Sequence, residues 1–370
     1  MIMIPSGLQG LEFAKDMQNP RIGNRSQTFS FELLDNGEAP KGSLPNVTGG
    51  NLEWAATAAV KSGGKITVVM DERSQINWLQ RRIKITMHIE GLGNYPLGIY
   101  IPSAPVENWT DTELTLDIEL LDKCSLLDND YVLESYAVGD GKNVTAAVRG
   151  LIVSAGENAG SITDGSETLN KGMSWESGTS KLTIINDLLE AAGYLSLHVD
   201  GEGRFRAEKR RLPKSRPIAH EFVDNNHSIY TPVFTYEKDI YSVPNRVVII
   251  AQGDGDKEGM KAVAENTNPN SPYSYQNRGN RWIVDVLKGV EATSQAALNE
   301  RAQNRLAQLT SPSGLITITH APLPWLDLND AVRFKRSTAD IDVRAVVMQT
   351  AIELTPTALQ RTALQEVAEL

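Results

Sequence analysis

Hydrophobic spacing along the chain switches between two periods, and the switches divide it into three parts. From Arg82 to Glu90 apolar and polar residues alternate, with Ile83, Ile85, Met87 and Ile89 on one face and Arg82, Lys84, Thr86, His88 and Glu90 on the other. A period of two belongs to a β-strand that has one face on a core and one in water. The stretch Glu113–Leu120 repeats it through Leu114, Leu116, Ile118 and Leu120. The run from Ile66 to Met70 predicts another strand, with Lys61-Ser62-Gly63-Gly64 as the hairpin turn before it. Pro96, Gly98, Pro102 and Pro105 bracket a short strand around Ile99 and Ile101. One antiparallel sheet or barrel is expected over about residues 10–130.

The middle changes period. Val144, Ala147, Val148, Leu151, Ile152 and Ala155 share one helical face, with Asn143 as the cap and Gly156 as the stop. Residues 156–180, rich in Gly, Ser, Thr and Asn, predict a long exposed loop. A second helix follows through Leu182, Ile184, Ile185, Leu188, Leu189 and Ala192, capped by Ser180 and stopped at Gly193. Leu195, Leu197 and Val199 then lead into Asp200-Gly201, and Phe205 and Ala207 return as a hairpin.

The last third goes back to β. Arg246–Ala251 is a continuous apolar run, as in a strand covered on both faces. Trp282, Val284 and Val286 predict another strand. Leu298, Ala302, Leu306 and Leu309 form one stripe of a helix over 294–309, with Ser294 as its cap and Pro312 barring continuation. Strands follow at Leu315–His320, Ala331–Lys335 and Val343–Leu354. The fold class is mixed and mainly β (α+β), in the order sheet, α/β insertion, sheet plus helix. The expected domains are 1–130, 131–240 and 241–370.

Composition narrows the function. Of 370 residues 41% are apolar and 22% charged, which excludes a disordered or collagen-like chain. With 36 basic and 46 acidic residues the net charge is −10, so general binding of nucleic acid over the surface is disfavoured. Cys124 is the only cysteine, so there is no internal disulfide and no four-cysteine zinc site. The start, Met1-Ile2-Met3-Ile4-Pro5, is apolar for only a few residues and lacks a basic lead, so no signal peptide is expected. No run approaches the roughly 20 apolar residues that span a bilayer, and no stable membrane insertion is expected.

No catalytic set emerges. His88, His198, His220, His227 and His320 show no metal-binding spacing, with His88 and His198 placed in strands and His220 and His227 in a loop-like stretch. There is no nucleophile elbow, no P-loop and no dinucleotide fingerprint. Cys124 reads as a packed small side chain. Asp254, Asp256, Glu258, Gly259 and Glu265 fit positions 1, 3, 5, 6 and 12 of a calcium loop. A strand precedes them instead of a helix, and Lys261 stands at position 8, so a solvated turn is expected there. No catalytic, cofactor-binding or metal site is therefore expected.

One charge cluster stands out: Arg204, Arg206, Lys209, Arg210, Arg211, Lys214 and Arg216, with Glu208 the only acid inside it. It is either the outer face of the hairpin and its exit, held extended by Pro213 and Pro217, or a patch for an acidic protein partner. Only Phe205 interleaves, which disfavours base stacking. The Asn-x-Ser/Thr triplets at Asn46, Asn108, Asn143 and Asn226 read as polar turns and caps. Trp109, Tyr273 and Tyr275 are the only hint of an exposed aromatic face, and are expected in loops or core.

Four stretches carry a resemblance. These are Asn94-Tyr95-Pro96-Leu97-Gly98-Ile99-Tyr100; Leu114–Asp122 with Leu126, Leu127 and Asp130; Trp175–Thr179, Leu182–Leu189, Ala191–Tyr194 and Asp200–Gly203; and Pro244–Val247 with Leu328–Val332. In this order they resemble the bacteriophage tail-tip (baseplate) hub family, which also occurs in phage-like particles and contractile injection machines. The resemblance implies two tail-tube-like β-barrels, a flanking helix and an α/β insertion between the barrels. It implies a structural virion protein at the tail tip, assembled in the bacterial host cytoplasm, and not an enzyme. A homotrimer would present six barrels as a pseudo-sixfold ring, joining the tail tube to a threefold tip around the DNA exit channel. The implied partners are the distal tail or tail-tube protein, the tape-measure protein and a separate spike or fibre chain, with DNA only in passage and no cofactor. The acidic balance suits a channel wall that does not retain DNA. With the chain ending at Leu370, no lysozyme, peptidase or fibre extension is expected. The alternatives are a cell-wall-degrading or a glycan-binding tail-tip protein.

Overall fold

The computed structural model describes residues 26–70, 76–111, 113–169, 171–211, 215–225, 228–238, 241–251, 260–290, 295–309 and 314–367. The protein is mainly β, with four α-helices among the described residues and one large, mostly antiparallel sheet. The chain forms two compact units: 1–233 with 318–364, and 234–317 with 365–370.

The first unit opens with seven strands: β1 (Gln27–Leu34), β2 (Pro40–Ser43), β3 (Val47–Ala55), β4 (Ser62–Met70), β5 (Arg82–Ile89), β6 (Gly93–Trp109) and β7 (Leu114–Asp122). Alternation is obeyed in β5, where Ile83, Ile85, Met87 and Ile89 are all buried. Arg82, assigned to the wet face by its period, is buried as well, because carboxylates meet it there. Ser62, Gly63 and Gly64 are not a turn. They belong to β4, paired to β3 and β7, and the turn lies earlier, at 56–60. A Cβ on Gly64 would meet the Asn51 carbonyl oxygen at 2.0 Å, so close strand approach, not a bend, requires that glycine. The prolines near Ile99 do not bracket a short strand either. β6 runs unbroken for 17 residues, and its irregularities fall at register shifts opposite 85/86 and between 103 and 106.

A helical module follows, with α1 (Cys124–Asp128), β8 (Tyr136–Val138), α2 (Val144–Ser154), β9 (Met173–Trp175), α3 (Lys181–Ala191), β10 (His198–Val199) and β11 (Phe205–Arg206). The caps are those predicted. Asn143 accepts from the Ala146 N–H at 2.9 Å and Ser180 from the Thr183 N–H at 3.2 Å, while Gly156 and Gly193 close the helices with positive φ. The 156–180 segment is not simply exposed. Glu157, Ala159, Ile162 and Leu169 are buried and β9 pairs with β8. The module has its own apolar core, running from Cys124 to Phe205.

Next come β12 (Ile218–Val223) and β13 (Tyr230–Glu237), and through β13 the chain enters the second unit. There β14 (Arg246–Ala251) pairs antiparallel with β15 (Lys261–Glu265) and parallel with β16 (Val284–Val290). The helix α4 (Gln295–Leu309) lays Leu298, Ala302 and Leu306 on Val247, Ile249 and Ala251. Only that face of β14 is buried, contrary to the doubly covered strand its apolar run implied; Val248 and Ile250 are half-buried. In β16 the predicted Val284 and Val286 are exposed, and Val290 is the buried residue. Ser294 and Pro312 lie outside the described residues.

β17 (Leu315–His320) leads back into the first unit, which ends with β18 (Ala331–Arg336), β19 (Ile341–Glu353) and β20 (Gln360–Glu366). These returning strands extend the opening sheet. Its order is β20-β19-β3-β4-β7-β6-β5-β1-β2, with β18 also on β19 and β12 parallel to β18. The sheet core accordingly mixes Leu52, Ile66, Ile85 and Ile118 with Ile352, Leu354 and Ala358. No helix among the described residues is long and apolar enough to cross a membrane.

Candidate functional site

Three of the stretches that carried the resemblance meet in space, although far apart in sequence. The start of β6 (Asn94–Leu97), the β10–β11 turn (Asp200–Glu202) and the turn before β18 (Leu328–Ala331) line one cleft of about 1900 Å³ within the first unit. Glycine makes the approach possible, since a Cβ on Gly201 would sit 2.2 Å from the Pro96 carbonyl oxygen. Tyr95 and Trp325 form a tilted ring pair on the wall, centroids 5.6 Å apart.

Charge in the cleft is of two kinds. Some groups are neutralised locally, as Arg206 by Asp200 at 2.6 Å and Lys84 by Glu202 at 3.0 Å. Arg204, Arg210 and Arg211 line the cleft with exposed guanidinium groups that form no ion pair among the described residues. Of the rest of the basic cluster, Lys209 pairs with Glu167, Arg216 donates to the carbonyls of Asn329 and Arg211, and Lys214 with Pro213 lies outside the described residues. Asp330, also on the lining, has its carboxyl pushed up to about 6 by burial. His198 also faces the cleft, and burial lowers its pKa.

The module that supplies one wall is fixed to the sheet by a buried ionic knot. Arg82 of β5 binds Glu157 and Glu38, and Lys123, just past β7, binds the same two carboxylates while donating to the Gly203 carbonyl at 3.0 Å. Next to it Asp122 accepts the N–H groups of Ser62 and Cys124, and burial still raises its pKa.

Two of the histidines have hydrogen-bond partners that fix them structurally. His88 lies between Asn94 and Ser30 at 2.7 Å each. His320 is fully buried, against the Ala321 carbonyl and the Thr362 hydroxyl. His220, read from sequence as loop, sits in β12 edge-on to Phe222. His227 and Asn226 lie outside the described residues. Cys124 is buried and its thiol is pushed up by desolvation, which disfavours the nucleophilic thiolate. Asp254, Asp256, Glu258 and Gly259 of the calcium-like run also lie outside them. Lys261 and Glu265 form the two ends of β15, and Glu265 pairs with Arg246 at 2.7 Å. Among the described residues no group of three His, Cys, Asp or Glu is arranged to hold a metal ion.

Trp109 is neither loop nor core. It stands at the far end of β6, 61% exposed. Tyr275 instead stacks on Trp282 at 4.2 Å, with the Arg246 guanidinium 3.8 Å from the Trp282 ring. Sequence reasoning missed the cleft and the exposed Trp109 end; the available signals were the Tyr95 and Asp330 stretches and the unpaired arginines.

No protein-family model matches the chain, and no curated protein matches it in sequence. Its fold is nevertheless that of phage tail proteins. It superposes on a tail protein from Neisseria meningitidis MC58 with a TM-score of 0.64 at 13% identity, over 92% of this chain and 97% of that one. The 43 kDa tail protein of prophage MuSo2 from Shewanella oneidensis gives 0.62 at 12% identity, over 92% and 98%. Prophage tail protein gp18 from Listeria monocytogenes EGD-e gives 0.53 at 14% identity, over 92% and 95%.

Proposed function

We propose that this chain is a structural component of a phage-type tail, the hub of its tip or baseplate. The observation that carries the reading is the shared fold over 92% of the chain with proteins of similar extent that are tail proteins. In this reading the chain is not an enzyme. It trimerises into a pseudo-sixfold ring built from a 1–130 barrel, a 131–240 insertion and a 241–370 barrel, which joins the tail tube to the tip in the virion. Its partners are the distal tail or tube protein, the tape-measure protein and a spike or fibre chain, and DNA passes through the bore without being held.

The test is electron microscopy of the chain co-expressed with its tube protein, with light scattering on the chain alone. Threefold rings capping tube ends are expected, together with a blank cell-wall zymogram. Monomers that never join tubes, or a cleared zymogram band, would overturn the reading in favour of a wall-degrading protein.

A further inference from the structure

The two ends of β6 differ in kind. At its start, Tyr95 lies on the cleft wall beside Trp325. Its far end leaves the core and forms an arm with β7, where every described residue from Ala104 to Glu113 is exposed. The arm carries two large apolar side chains in water, Val106 (56% exposed) and Trp109. It also carries Glu107, Asp111 and Glu113 and no basic residue. Glu107 holds the Trp109 indole N–H at 3.0 Å, which sets the ring's direction. An exposed tryptophan ringed by carboxylates has the composition of an interface anchor.

Acids and bases line the cleft in nearly equal number, and what complements the arm is the three cleft arginines without an ion-pair partner among the described residues, Arg204, Arg210 and Arg211. The aromatic pair of the cleft is half-exposed. A chain cannot fill its own cleft with its own arm. β6 is 17 residues long, which at about 3.3 Å per residue is about 50 Å of strand between its start and the arm tip. Complementary patches at opposite ends of one strand favour a head-to-tail contact, which closes into a ring when the rotation permits.

We propose that the β6–β7 arm of one copy docks in the cleft of the next copy, with Trp109 on the Tyr95–Trp325 wall and Glu107, Asp111 and Glu113 facing Arg204, Arg210 and Arg211. The inference rests on the trimeric reading above and supplies its contact.

The experiment uses the full chain in two arms. In the first, Asn108→Cys on the arm and Ser166→Cys at the cleft margin are combined in one chain and oxidised; both positions are exposed and Cys124 is buried. Intermolecular disulfides should give a covalent ladder that stops at three, while either single variant stops at two. In the second, Arg210→Glu with Arg211→Glu should raise the self-association constant for dissociation by about tenfold or more, and adding Glu107→Lys with Glu113→Lys should restore it. Circular dichroism checks that each variant folds. A trimer that gives no ladder and ignores the charge swap overturns the arm-in-cleft contact and leaves the trimer standing. A chain monomeric at every concentration overturns both.

Discussion

Arg82 in β5 and Glu157 beyond α2 are joined by two buried hydrogen bonds, Nη2 to Oε1 at 2.5 Å and Nη1 to Oε2 at 3.1 Å. The pair ties the sheet to the helical module within the first unit. Glu38 and Lys123 complete a balanced set of two cations and two anions, so the three buried charges, Arg82, Glu157 and Lys123, each have a partner, and half-buried Glu38 closes the set toward solvent.

Removing one member leaves a buried charge short of a partner. Glu157→Ala is expected to cost about 3 kcal/mol, and Arg82→Met a similar amount. The double variant Arg82→Met, Glu157→Leu leaves Lys123 with Glu38 and should cost clearly less than the sum. Urea unfolding of the four proteins measures the coupling, and simple additivity would show that the knot is not a unit.

The β3–β4 contact gives a sharper steric test. Gly64→Ala pushes a methyl into the Asn51 carbonyl, and neither backbone has room to withdraw from a sheet paired on both sides. A loss of about 2–3 kcal/mol is expected. Gly49→Ala, two strand positions from Asn51 and with nothing within 4 Å of the added carbon, is expected to stay within about 0.5 kcal/mol of the parent. Equal melting temperatures for the two variants would remove close approach as the reason for Gly64.

These two sites mark where sequence stops being informative. Alternation was legible in β5 and β7 because one face of each is wet, and the helix caps were legible because Asn143 and Ser180 act on backbone a turn away. Arg82 misled because its burial depends on Glu157, remote in the chain. Gly63-Gly64 misled because glycine serves turns and close strand contacts alike. Pro96 and Pro102 read as breaks, yet β6 continues through both. The cleft was not legible as a site although its wall stretches stood out singly, for those segments near 95, 200 and 330 are brought together only by the fold.

His220 is a half-buried base on the cleft lining. Its Nε2 has no hydrogen-bond partner, it lies edge-on to Phe222 at 4.7 Å, and burial lowers its pKa to about 4. The unfolded chain, with an ordinary histidine near 6.5, takes the proton first as pH falls. The stability this group contributes is present above pH 6.5 and is lost as pH falls toward 4, by at most about 3 kcal/mol. His220→Phe keeps the ring and removes the titration. Unfolding free energies at pH 7, 5.5 and 4 should then fall less in the variant, and parallel curves would sink the assignment.

Asp330 slopes the other way. Burial holds its folded pKa at about 6, above the ordinary carboxylate value of 3.8, and its Oδ2 accepts the Asp327 N–H at 3.0 Å. The folded protein therefore keeps this proton longer than the unfolded chain. The stabilisation is complete below about pH 4 and is lost as pH rises through 6, at most about 3 kcal/mol from this one group. Asp330→Asn stays neutral at every pH and keeps a carbonyl for the Asp327 N–H. The variant should gain stability over the parent at pH 7, and the gain should vanish at pH 4. Because the His220 term has the opposite sign in an overlapping range, the two variants must be measured separately. A constant difference between Asp330→Asn and the parent from pH 4 to 7 would mean that the carboxyl ionises freely in the cleft.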